Sequence, residues 1–304
     1  MAGVAAVSAA VAGPVVVAVE AGGNMIARTF TILLVVAAGG ALAQAPQATQ
    51  TTVAKTTAAK NFESPDAAAQ ALIDAASKND IATLTAVLGS SAKSILTSGD
   101  PRQDQAEREE FARIATQKHH LERSSINSHV MVLLVGDEDW PFPIPLVHDG
   151  KSWRFDSSRG AVEMRARQIG ANELDAIEAC AGYVSAQQAY AAQKRTAAGT
   201  QEYAQKIGDL AIPRQFAEAA AQNLAKPYHG YFFRVLTAGQ HPWVVGKVMI
   251  GGFGLVAWPA RYGVTGVHTF FVNQDGVVYE KDRGAKPSAP VTRYDPDPSW
   301  QPVD

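Results

Sequence analysis

The apolar positions of this chain change their spacing from one stretch to the next, and each spacing predicts an element. In "SPDAAAQALIDAAS" the residues Ala68, Ala71, Leu72 and Ala75 recur at the i, i+3, i+4, i+7 interval that lines one face of an α-helix. Ser64 suits its N-cap, Pro65 its first position and Asp66 the positive end of its dipole. After the break at Lys78 to Asp80, Leu84, Val87 and Leu88 mark a second short helix that stops at Gly89, giving a helix hairpin. A charged helix is expected from about Gln103 to Lys118, following the turn "SGDP". The spacing then becomes strand-like. Val130 to Val135 is a β-branched run. Pro141, Pro143 and Pro145 lack an N–H at every second position, which predicts an edge strand or an extended path. Trp153 and Phe155 alternate to one side of a short strand, and a helix pair followed by such a meander resembles the cystatin-like architecture in shape.

Helical spacing returns from Ile169 to about Arg195, with Leu174, Ile177, Ala181, Val184 and Ala191 on one stripe. A weaker helical stretch lies between Pro213 and Pro227. The runs "GYFFRVLTA", "WVVGKVMIGGFGLVAWPA", "VHTFFVN" and "GVVYEKD" read as strands. Alternation sets His268, Phe270 and Val272 on one face and Thr269 and Phe271 on the other. "NQDG" (Asn273 to Gly276) is a hairpin turn in which Gly276 supplies positive φ. "GGFG" (Gly251 to Gly254) reads as close strand packing, and the proline-rich tail after Gly284 as loosely attached. The pattern predicts an α+β fold. A helix hairpin with a small sheet occupies residues 61–160, a long helix packed on an antiparallel sheet residues 161–285, and the tail residues 286–304.

Residues 1–43 read as a signal region. Met25 to Ala43 has a basic start at Arg28, an apolar run from Phe30 to Ala38, and an A-x-A site at Ala41-Leu42-Ala43. Glu20 and the missing charge upstream favour Met25 as the start. Cleavage would leave Gln44 first, followed by a flexible Ala/Thr/Gln-rich linker over 44–60 and no membrane span. The expected location is the periplasm or the exterior.

Composition narrows the chemistry. The 304 residues are 47% hydrophobic and 18% charged, which is globular, and the net charge of −2 provides no basic stripe for nucleic acid. The single cysteine, Cys180, excludes an intrachain disulfide and sits among small apolar residues in "AIEACAGY". No G-x-S-x-G, H-E-x-x-H, P-loop or dinucleotide fingerprint occurs, and no cofactor is implied. Ser90 and Lys93 form an S-x-x-K without its S-D-N and K-T-G partners. Among seven histidines, His229 and His268 are the catalytic candidates, near Tyr231 and Tyr262 and in need of an acidic partner. Asp137, Glu138 and Asp139 offer oxygen ligands to a cation such as Ca²⁺, or form a solvated turn. Trp140, Trp153, Trp258 and Tyr262, with Phe142 and Trp243, either line a groove for a peptide or glycan or cap two small cores.

Six blocks carry a resemblance over roughly residues 60–300: "SPDAAAQALIDAASKND", "GDPRQDQAEREEFA", "DWPFPIPLVHDGKSWRFD", "RQIGANELDAIEACAGYVSAQQAYA", "YHGYFFRVLTA" and "GGFGLVAWPARYGVTGVHTFFVNQDGVVYEKD". In this order they are similar to an exported bacterial family catalogued as domain of unknown function 2950. The chain departs from that pattern at "IGDLAIPRQFAEAAAQNLAK" and at the shortened "GQHPWVVGK". The resemblance implies no catalytic residues. The C-terminal half also resembles the globular part of type IV pilin-like and pseudopilin-like proteins, without their apolar spine helix. The expectation is a non-catalytic envelope module that binds a protein or the wall. The alternative is a hydrolase-type periplasmic enzyme with an inter-domain site using His229 or His268.

Overall fold

The computed structural model describes residues 58–97, 100–220, 226–287 and 289–303. The signal region, most of the expected linker and the "SG" of the expected turn lie outside the described residues. The chain divides into two compact units between Met164 and Arg165.

In the first unit α1 (Pro65–Ser77), α2 (Ile81–Leu88), the single turn α3 (Lys93–Leu96) and α4 (Pro101–Gln117) precede a sheet. Side chains close the helix starts. Ser64 Oγ accepts from Ala67 N at 3.1 Å, and Asp80 and Asp100 do the same for α2 and α4. Gly89 ends α2 at φ +86°, as its position after the last apolar residue predicts. The sheet runs β1 (His119–Arg123), β2 (Val130–Val135), β4 (Leu146–His148), β5 (Trp153–Phe155), with β3 (Trp140–Pro141) added beside β2. The prolines follow the path that their missing donors require: Phe142, lying between two of them, gives its N–H to Leu133 at 2.8 Å. Leu72, Leu84, Leu88, Leu133, Ile144, Leu146 and Phe155 form the buried core.

The helix α5 (Ser157–Gln193) starts in the first unit and runs into the second. Its start corrects the expected Ile169. Asp156 Oδ1 accepts from Arg159 N at 3.1 Å and opens the helix, and Gly160 lets Ile144 approach so closely that a Cβ would stand 2.6 Å from its Cγ1. The buried stripe also differs. Val184 and Ala191 of the expected stripe are buried and Ile177 packs against the core, but Leu174 is 69% exposed and Ala181 is exposed, while Ala176, Ala179, Cys180, Tyr183 and Gln187 also face inward.

The second unit holds α6 (Arg214–Ala219), within the helical stretch expected there, of which residues 221–225 lie outside the described residues, and β6 (Tyr231–Leu236). A small hairpin of β7 (Val244–Val245) and β8 (Val248–Met249) follows, then β9 (Gly254–Pro259), β10 (His268–Asn273), β11 (Tyr279–Asp282) and β12 (Gln301–Pro302). The main sheet is antiparallel in the order β12-β11-β10-β9-β6. Pairing of Phe233 and Phe270 with Ala257 puts them, with Tyr231, on one face. That face meets the helices: Tyr183 donates to Gly254 O at 3.1 Å, and the Phe216 ring of α6 lies 4.6 Å from Phe233. Arg234, Val256 and Trp258 point to the opposite face. There the tail is a correction to the sequence reading. Trp300 is buried and stacks on Phe271 at 3.8 Å, Tyr294 lies 4.8 Å from the same ring, and β12 pairs with β11. Both faces of β10 are therefore covered. The "NQDG" turn forms with Gly276 at φ +79°, and "GGFG" wraps Trp243: a Cβ on Gly252 or Gly254 would meet that ring at 3.0–3.1 Å.

Gln187 ties α5 to the segment after it. It is fully buried, gives Nε2 to Tyr183 Oη at 2.8 Å and to Ala204 O at 2.7 Å, and accepts from Ala204 N at 2.9 Å. Gln187→Leu leaves both Ala204 backbone groups unpaired, and urea unfolding should show a loss of about 2–4 kcal/mol. An unchanged midpoint would mean that water replaces the amide.

Candidate functional site

One turn of α5 and the start of β10 build the first cluster. Glu173 Oε1 accepts from Val267 N at 2.8 Å and His268 N at 3.0 Å, and Oε2 lies 3.3 Å from His268 Nδ1. Tyr231, the first residue of β6, donates to His268 O at 3.0 Å with Glu173 Oε1 at 3.4 Å. Burial first, and then the Glu173 charge, push the Tyr231 phenol far above its usual range, so it stays a protonated donor. Nearby, Asn172 Nδ2 donates to Thr265 O at 2.8 Å. One oxygen of this carboxylate is held by two backbone amides and the other faces the His268 ring, so Glu173 clamps the loop to the helix and orients the imidazole.

His229 belongs to a different pair. Its Nδ1 stands 2.7 Å from Asp175 Oδ2, its backbone is left-handed at φ +46°, and its ring meets the Tyr228 ring edge-on at 4.2 Å. Glu173 and Asp175 are two positions apart on one helix and so point about 200° apart around its axis. Each histidine thus has its own carboxylate. Tyr262, expected beside the histidines, instead donates to Asp282 Oδ2 at 3.0 Å.

The remaining candidates separate. In the exposed acidic turn, Asp139 pairs with Lys118 at 3.2 Å and His120 at 3.6 Å, while the Asp137 backbone carbonyl accepts from Lys118 Nζ at 3.4 Å and Glu138 is exposed. Among the described residues, no three of His, Cys, Asp and Glu come together in a group that could hold a metal ion. Ser90 opens a 3-10 turn and Lys93 begins α3. Cys180 is fully buried, and burial pushes its thiol up to about 12. Iodoacetamide at pH 8 should therefore leave it unmodified in the folded chain and alkylate it in urea. Fast labelling of the native protein would contradict this placement.

The aromatic candidates fall into separate places. Trp140 lines a small cavity of about 120 Å³ in the first unit with Phe111 and Phe142. Trp153 lies 4.9 Å from the His148 ring, which in turn stacks on His129 at 6.1 Å. Trp258 and Tyr262 share a larger cavity of about 450 Å³ in the second unit, reached by Arg234, Val256 and Thr269 of the sheet face turned away from α5. The Arg234 guanidinium sits over the Trp258 ring, 5.2 Å from its centroid. Arg283, just past β11, lines the same cavity. Sequence reasoning found the two aromatics through their places beside Pro259 and the loop glycines, and missed the two arginines. The only available signal was a lone charge inside the apolar strand "YFFRVL".

The chain matches, over residues 59–211 and 208–303, the family described as protein of unknown function (DUF2950). No curated protein and no solved structure matches it.

Proposed function

The chain belongs to the DUF2950 family, and we propose that it is a non-catalytic binding module of the bacterial cell envelope. The cavity of Trp258 and Tyr262 carries this reading. Its size suits a small ligand or a short peptide end, and among the described residues its lining of aromatic, proline, valine and arginine residues includes no histidine, carboxylate, serine or cysteine to act as base or nucleophile. The two histidine–carboxylate pairs lie outside that lining, and one oxygen of Glu173 is held by backbone amides. Export supports an envelope partner, either a protein or the wall, through the signal-like Met25 to Ala43. The pilin-like shape belongs to the same proposal, supported by a long helix packed across an antiparallel sheet.

Crosslinking the chain in its own cells, with mass spectrometry of the co-purifying material and of the chain's N-terminus, tests this. The proposal expects a mature end at Gln44 and one reproducible envelope partner. A monomer without partners would overturn it.

The 2.7 Å contact of His229 with Asp175 favours a second reading, a hydrolase with His229 as base. That reading requires an activity that His229→Ala abolishes and Trp258→Ala leaves intact.

A further inference from the structure

The cavity of Trp258 has a charge character that its aromatic lining alone does not require. Two guanidinium groups, from Arg234 and Arg283, line it, and among the described residues no acidic side chain does. Arg234 is exposed and, among the described residues, makes neither a hydrogen bond nor an ion pair. Its one described partner is the Trp258 ring. A stacked guanidinium is held in orientation while the N–H groups at its edge stay free, the arrangement that suits a bidentate grip on a planar anion. Arg283 is fixed from behind, because its Nη2 donates to Ala289 O. Among the described residues Asp282 forms no ion pair with either arginine; its Oδ2 accepts from Tyr262 and its Oδ1 from Gly284 N at 2.8 Å. Thr269 adds to the lining a hydroxyl for which no side-chain hydrogen bond is described.

The rest of the wall is apolar. Val256, Val267, Val291 and Pro259 leave little to solvate a second negative charge. This suits a carboxylate attached to something greasy. We infer that this groove takes a carboxylate carried on an apolar body, with Arg234 and Arg283 gripping the anion and Trp258 holding Arg234 in place. The inference rests on the binding-module reading and names the ligand chemistry of the same site. Two sources share that chemistry: the C-terminal end of a partner protein, and a free organic acid.

The test is fluorescence anisotropy on the full chain. The probe is a labelled pentapeptide ending in leucine, compared as free acid and as C-terminal amide, with octanoate as competitor. The acid is expected to bind at least tenfold more tightly than the amide. Arg234→Ala and Arg283→Ala should each remove that preference, with the melting temperature of Arg234→Ala unchanged because its side chain is exposed. Trp258→Ala should weaken the acid and leave the amide unaffected. Acid binding without competition by octanoate assigns the site to a protein terminus. Octanoate competing with the peptide, or binding alone, assigns it to a free acid. Equal binding of acid and amide overturns the carboxylate inference and leaves the groove as a docking site. No binding of any probe also overturns it, and in-cell crosslinking then decides the binding-module reading separately.

Discussion

Gly266→Ala is expected to destabilise the second unit more than any other single methyl addition near the candidate site. A Cβ at this position would stand 2.0 Å from Tyr231 Oη, 2.5 Å from Cζ and 2.6 Å from Cε2. The tyrosine cannot yield, because it is fully buried and its hydroxyl is anchored on His268 O. The 261–266 loop must move instead, and its shift would pull Val267 N and His268 N away from Glu173. Overpacking of this kind costs about 3 kcal/mol, and the lost amide–carboxylate bonds add to it. Urea unfolding measures the loss. Tyr231→Phe removes the atom at 2.0 Å but not the two ring carbons, so the double variant should recover about 1 kcal/mol of the combined cost. A wild-type midpoint for Gly266→Ala would show that the loop is not seated on Tyr231.

Trp300→Ala should have an effect of similar size for the opposite reason, since it removes packing instead of adding it. Trp300 is 8% exposed, stacks on Phe271 at an interplanar angle of 25°, and lies beneath Lys281 Nζ, 5.7 Å away. Losing a large buried aromatic costs about 3–5 kcal/mol. The backbone bond from Val303 N to Val278 O at 2.9 Å and the two residue pairs between β12 and β11 are too few to hold the strand without it. The variant should unfold at lower urea and be trimmed from its C-terminus by carboxypeptidase. Resistance equal to wild type would restore the expectation of a loose tail.

These two positions show which parts of the architecture sequence could reveal. Local chemistry was readable: the caps at Ser64 and Gly89, the proline path from Pro141 to Pro145 and the turn at Gly276 each follow from one residue type and its neighbours. Features set by distant partners were not. The first turns of α5 carry Gly160 and an exposed Val162, so no apolar stripe marks them; their helix is stabilised through Asp156 and contact with Ile144. Strand β1 is polar because it is a sheet edge, and "HHLER" shows no alternation. The tail looked free because prolines dominate it, while the one residue that anchors it, Trp300, meets Phe271 only in three dimensions. The same limit applies to the candidate site. In the sequence Glu173 is one charge among several along a helix, and its amide partners lie 94 and 95 residues away. Arg234 reads as an ordinary solvent-facing strand residue until Trp258 is seen beneath it.

The central claim is that the sheet-face cavity, and not the histidine pairs, meets the partner. Photo-crosslinking in cells tests it most directly, with a benzophenone amino acid placed at Tyr262 in one strain and at His229 in another. The account predicts one reproducible adduct from position 262 and none from position 229. Adducts from position 229 alone would contradict it and move the functional site to the His229–Asp175 pair.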